Sequence, residues 1–177
     1  MLACDENDNN ASQLSYPDYI LAGETDISRF NEVAHYLVKP APAILRNTDF
    51  FLLDFNQDGI DDFKLTRTAY DNQNMKAELE PLGESSFIAN SEKINWVASL
   101  GLLDVVNADG NWNNETGLLY ETDTQTGLFE DAFDQHIGLK TTVTGNTYYG
   151  WVKIAIASSW GHPVTIIEYA TTIPFEN

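Results

Sequence analysis

The segment Asp54-Phe55-Asn56-Gln57-Asp58-Gly59-Ile60-Asp61-Asp62 sets oxygen-bearing side chains at alternate positions, with a glycine where a short loop must turn. Calcium takes roughly six to eight hard oxygen ligands, and a loop of this kind delivers them from alternate residues. Asp54, Asn56 and Asp58 offer side-chain oxygens at positions one, three and five. Ile60 offers its backbone carbonyl at position seven, and Asp62 a carboxylate at position nine. Gly59 permits the backbone reversal between them. An EF-hand would need Glu at position twelve, where Leu65 stands, and it would need flanking helices. The spacing therefore predicts a Ca2+ loop between two strands, the plain alternative being a solvated Asp/Asn turn. A second oxygen-rich stretch, Asp104 to Glu115, contains Asp-Gly without repeating the spacing, and it reads as an ordinary loop.

Strands are expected to carry that loop. Phe50-Phe51-Leu52-Leu53 enters it, and Phe63 to Thr68 leaves it with alternating polarity. Lys76 to Glu80 alternates in the same way. Ile137 to Val143, a Gly145-Asn146 turn signal, Tyr148 to Ile156, a Gly161-His162-Pro163 turn and Val164 to Ala170 read as a three-stranded meander. Two segments have helical spacing. Residues 28–38 begin with Ser28 as a cap, carry Phe30, Val33, Ala34 and Leu37 on one face, and stop at Pro40-Ala41-Pro42. Residues 91–100 place Ile94, Val97 and Ala98 similarly, although Trp96-Val97 suits a strand equally well. The expected fold is mostly β: an antiparallel, jelly-roll-like β-sandwich with one or two short helices. It forms one domain over residues 14–177 after a flexible acidic tether over residues 1–13.

Charge narrows the partners. The 177 residues include 9 Lys and Arg against 27 Asp and Glu, a formal net charge of −18. Such a field repels nucleic acid and anionic lipid while attracting multivalent cations. One cysteine excludes an intramolecular disulfide. His35, His136 and His162 lack metal-binding spacing and read as structural or surface residues. There is no Gly-x-Ser-x-Gly nucleophile and no glycine-rich phosphate loop. Carboxylates are plentiful, but nothing singles out a catalytic pair. Of Trp96, Trp112, Trp151 and Trp160, the second and fourth lie among turn residues. They are expected to be exposed, where an indole could stack on a sugar ring.

At the N-terminus, Leu2-Ala3-Cys4 resembles the end of a bacterial lipobox, which would make Cys4 a lipidated residue. The acidic run after it resembles the signals that follow the lipidated cysteine in surface lipoproteins of the Bacteroidetes. Membrane contact is then expected only through that lipid anchor. The stretch Leu14 to Leu21 is apolar and aromatic. It would either add as a strand to a second copy of the chain or form the first strand of its own domain.

The segment from Leu53 to Phe63 also resembles the D-x-N-x-D-G-x-x-D-F segment of secreted bacterial β-domains, and it is similar to calcium loops of integrin-type extracellular repeats. With Tyr149-Gly150-Trp151 and Glu168-Tyr169-Ala170, the resemblance extends to exported β-domains of the Bacteroidetes and Planctomycetes over about residues 50–172. It implies export, a β-rich fold and the same calcium-loop residues, and it implies no reaction. The expectation is a non-catalytic extracellular calcium-binding protein with a structural or adhesive role, which could self-assemble at the cell surface. The alternative is a carbohydrate-binding module or a small glycan-active enzyme.

Overall fold

A computed structural model describes residues 19–24, 34–71, 74–129, 133, 135–157 and 162–174, with the backbone alone for residues 34–42 and 173–174. Cys4, the tether, residues 14–18, residues 25–33 and Trp160 lie outside the described residues.

Alternating polarity forms the strands flanking the loop. In β3 (Asp49–Leu53), β4 (Phe63–Ala69) and β5 (Met75–Pro81), every second side chain of β4 and β5 is buried. Phe51, Leu65 and Leu79 stand in one cross-strand row. With β9 (Gly117–Glu121) and β10 (Thr126–Gly127), these strands make a five-stranded antiparallel sheet in the order β10-β9-β5-β4-β3.

The second sheet has six strands in the order β2-β13-β12-β11-β6-β8. They are β2 (Ala34–Leu45), β6 (Ser86–Ile88), β8 (Trp112–Asn113), β11 (Gln135–Val143), β12 (Asn146–Ile156) and β13 (Val164–Pro174). The C-terminal meander is therefore present, and Val143 pairs with Asn146 across a two-residue turn. That turn is Thr144-Gly145, one residue earlier than the Gly-Asn signal suggested. Both residues have positive φ, 48° and 83°, the geometry that matches strand twist.

The two sheets face each other across one apolar core. Leu53, Phe55, Phe63, Leu65 and Leu79 come from one side, and Leu139, Val152, Ile154 and Ile166 from the other. Ile166 and Tyr169 both enter this core although three residues apart, because a bulge at this point of β13 shifts the register. The protein is thus an antiparallel β-sandwich.

A smaller layer covers the other face of the six-stranded sheet. There β1 (Tyr19–Leu21) pairs antiparallel with β7 (Val105–Asn107), and Ile20 and Val106 pack with Trp151, Ala170 and Ile88. The last three residues of the apolar 14–21 stretch therefore form a strand of their own domain.

No helix occurs among the described residues. Residues 34–38, the C-terminal half of the first expected helix, lie in β2 and pair with β13 from Val38↔Ala170 to Ala34↔Pro174. Sheet pairing overrides a weak helical period. Residues 91–100 form turns and bridges instead. Asn90 accepts the N–H groups of Glu92 and Lys93, and Val97, fully buried, donates its N–H to the Leu118 carbonyl.

Candidate metal centre

Residues 54–62 connect β3 to β4, and the strand ladder closes behind them through Asp62 N–H on the Leu53 carbonyl at 2.8 Å. Gln57 and Gly59 take positive φ, 63° and 89°, which folds the intervening chain back on itself. Three side chains turn into that fold. Asp54 Oδ1 and Asn56 Oδ1 both accept the Asp58 N–H, at 3.1 and 3.0 Å, so the two oxygens face the same point. Asp54 Oδ2 accepts from Gly59 N–H at 2.9 Å, and Asp58 Oδ1 from Ile60 N–H at 2.9 Å. The Asn56 amide donates to Asp58 Oδ2 at 3.1 Å. Asp54, Asn56 and Asp58 are therefore gathered in one turn near the surface, as their spacing suggests.

Asp62 goes elsewhere. Its side chain is 6% exposed and points into the sandwich. Oδ2 accepts from the N–H groups of Phe55 at 2.8 Å and Asn56 at 3.3 Å. Oδ1 accepts from Thr141 Oγ1 at 2.8 Å, and Ser85 donates to that threonine oxygen at 2.9 Å. The carboxylate thus ties the loop to β11 and to the residue before β6. Ile60, expected to lend its carbonyl, carries its side chain 69% exposed at the loop's outer edge. Among the described residues, no three His, Cys, Asp or Glu side chains converge as a metal-binding group. Two carboxylates and an amide form the turn's oxygen set.

Phe55 anchors the same loop from within. Its ring is fully buried, stands edge-on to Phe63 with centroids 5.9 Å apart, and rests over Gly150. A Cβ at Gly150 would overlap both the Phe55 ring and the Ala170 carbonyl. The Tyr149-Gly150-Trp151 segment is therefore joined physically to the loop. Tyr169 closes this end, its phenol pushed up from the usual value by burial and then by the charge of Asp54.

Beside the loop lies an open cleft of about 300 Å³. Asp58, Asp61 and Glu84 give it acidic walls, the buried Asp62 and residues 141–144 complete its lining, and no lysine or arginine among the described residues lines it. Glu84, Ser85 and Thr141 carry no sequence signal of this role, because they reach the loop only through the packing of the two sheets.

Burial raises the Asp62 carboxyl above 3.8, outweighing the lowering by Thr141 and the two N–H donors. A carboxyl with a raised folded value takes up a proton on folding, so acid favours the folded state through this group. In chelator, its contribution to stability should rise as pH falls from neutrality through the raised value, then level off below 3.8. Comparing wild type with Asp62→Asn by urea titration at successive pH values isolates that slope. A difference between them that does not change with pH would refute it.

Trp112 is half-buried rather than exposed. Its indole N–H donates to the Asn107 carbonyl at 3.0 Å, Tyr149 packs against it, and Lys140 Nζ lies 4.5 Å from the ring centre. Burial holds the Lys140 ammonium below its usual value. The indole face under Lys140 is therefore occupied. The Asp104 to Glu115 stretch forms β7, a turn and β8, with Asp104 accepting Gly101 N–H and Asn107 accepting Asp109 N–H.

No family model matches the chain, and no curated protein or solved structure matches it significantly. The class defined here is an antiparallel β-sandwich with an oxygen-rich loop clamped at one end of its core.

Proposed function

We propose that this protein is a non-catalytic, calcium-binding β-sandwich, displayed outside the cell on a lipid carried by Cys4, with a structural or adhesive role. The observation that carries the reading is the pre-organised loop. Asp54, Asn56 and Asp58 present oxygens from one exposed turn, while Phe55 and Asp62 fix the turn's two ends in the core. Hard oxygen donors of this kind suit calcium. Asp54, Asn56 and Asp58 would hold the ion with the Ile60 carbonyl and water. Asp62, engaged by Thr141 and two N–H groups, would support the loop or reach the ion through water. Bound calcium supplies positive charge to a chain of net charge −18 and locks the β3–β4 connection.

An ion bound only to the folded state adds about 2.7 kcal/mol at a hundredfold excess over Kd. For a domain of this size, chelation should therefore lower the melting temperature by roughly 5–10 °C. Asp58→Ala should abolish the difference, and Asp61→Ala, outside the three-oxygen turn, should retain it. Coincident melting curves with and without chelator would overturn the calcium reading. For the anchor, protein expressed from its full gene should partition into detergent, and Cys4→Ser should release it. An unmodified N-terminus on protein from the native host would overturn that part alone.

The acidic cleft gives a second reading some support, since carboxylates and threonine hydroxyls suit the hydroxyls of a glycan. Retention on insoluble polysaccharide, lost in Glu84→Ala, would favour a carbohydrate-binding module. Trp112 adds little to it, with Lys140 over its ring.

A further inference from the structure

The β1–β7 ribbon has two unlike faces. Ile20 and Val106 point inward and are fully buried, whereas Tyr19 and Val105 point outward at 45% and 52% exposure. The turn that leads into β7 extends this outer face with Leu102 at 68% and Leu103 at 50% exposure. The turn is firmly held. Asp104 accepts the Gly101 N–H, Leu103 donates its N–H to the Ala22 carbonyl, and Ala22 donates its own to the Asp104 carbonyl, each at 2.8 Å. Leu103 has φ 68°, a conformation that bulky side chains rarely adopt. Glycine or asparagine would fit that backbone better, yet two successive leucines face water there. Strain kept together with exposed apolar side chains suggests a surface with an outside partner.

We propose that Leu102, Leu103 and Val105 form a membrane-contacting tip that seats the domain on the bilayer holding its N-terminal anchor. The proposal rests on the reading of Cys4 as the acylated residue. Fourteen residues, 5–18, separate Cys4 from Tyr19, and they reach about 50 Å at most when fully extended. The described fold begins with this ribbon, so of the described elements it is joined to Cys4 by the shortest run of chain, and the leucine turn is bonded directly to it. Residues 19–24 and 101–107 contain no lysine or arginine, and the net charge is −18. Contact is therefore apolar and favours zwitterionic over anionic lipid.

The sole cysteine allows a direct test. Cys4 is coupled to a maleimide-bearing lipid in phosphatidylcholine vesicles, with or without bromine in the acyl chains. Leu102→Trp should gain emission that shifts to shorter wavelength on the vesicles and is quenched by the brominated lipid. Phe50→Trp, placed on the outer face of the opposite sheet, should show neither change. Leu102→Ser/Leu103→Ser should remove the slowing of amide exchange that vesicles impose on residues 101–107. Both leucines are exposed, so the variants should melt with the parent, which checks folding. Equal responses of the two tryptophan variants, or no response on vesicles, would overturn the proposal. A lipid-independent dimer abolished by the double serine variant would also overturn it, because a second copy would then be the occupant. The coupling is chemical, so failure here is distinct from failure of Cys4 acylation in the host.

Discussion

Phe55→Ala should destabilise the protein by about 3–5 kcal/mol, the range for removing a buried phenylalanine from a packed core. The ring is fully buried, lies edge-on to Phe63 and occupies the space left by the missing Cβ of Gly150. It is also the second residue of the oxygen-rich turn, so its loss frees the loop from the core and, on the proposed calcium reading, should weaken that binding as well. Gly150→Ala tests the same contact from the other side, since the added methyl meets the ring and the Ala170 carbonyl. Overpacking of this kind costs about 1–3 kcal/mol, and the backbone contact puts this site at the upper end. With the ring removed, the methyl at position 150 has room on one side. The double variant should therefore be less destabilised than the sum of the two singles, by about 1 kcal/mol in a urea-denaturation cycle. Strict additivity would show that loop and β12 are not in contact.

Asp62→Ala is the second large effect. Substitution strands the Phe55 N–H and the Thr141 hydroxyl, each of which donates to this carboxylate at 2.8 Å. Buried groups left without partners cost about 1–3 kcal/mol each, so a loss near 3 kcal/mol is expected. Asp62→Asn keeps the shape and one acceptor, and should lose about half as much. Asp61→Ala, exposed and adjacent, should stay within about 0.5 kcal/mol of wild type. On the proposed calcium reading, the Asp62 variants should still respond to the added ion, though less than wild type, because Asp54, Asn56 and Asp58 remain. Equal stabilities of the Asp61 and Asp62 variants in urea would remove Asp62 from its clamping role.

Much of the sandwich was legible because strand alternation is local. Phe63 to Thr68, Lys76 to Glu80 and the final meander needed only neighbouring residues to declare themselves. The expected helix over residues 28–38 shows the limit of that reading. Its apolar spacing suited a helix, but residues 34–38 found their partner in β13, far along the chain. The loop was legible in its composition and in the grouping of Asp54, Asn56 and Asp58. The direction of Asp62 was not, because Thr141 and Ser85 meet it only once the two sheets are packed. Gly150 is similar: the sequence shows a glycine between aromatics, while the reason for it is a ring from residue 55. One signal was available for the second apolar layer. Trp151-Val152 puts consecutive large apolar residues in a strand, as burial of both sheet faces demands, and Trp151 indeed packs opposite to the main core.

The short β1–β7 pairing has a mechanical consequence. Tension applied at Tyr19 loads β1, the first described strand, which pairs with β7 at three positions and is followed by the two Ala22 bonds to the 101–104 turn. The next described strand, β2, is bound to β13 along nearly its whole length. A steady pull at Tyr19 should therefore detach β1 as a fuse while both sheets and the loop stay folded. Ile20 would then withdraw from beside Trp151, so the yield point should register as a change in indole emission before any loss of the sandwich itself.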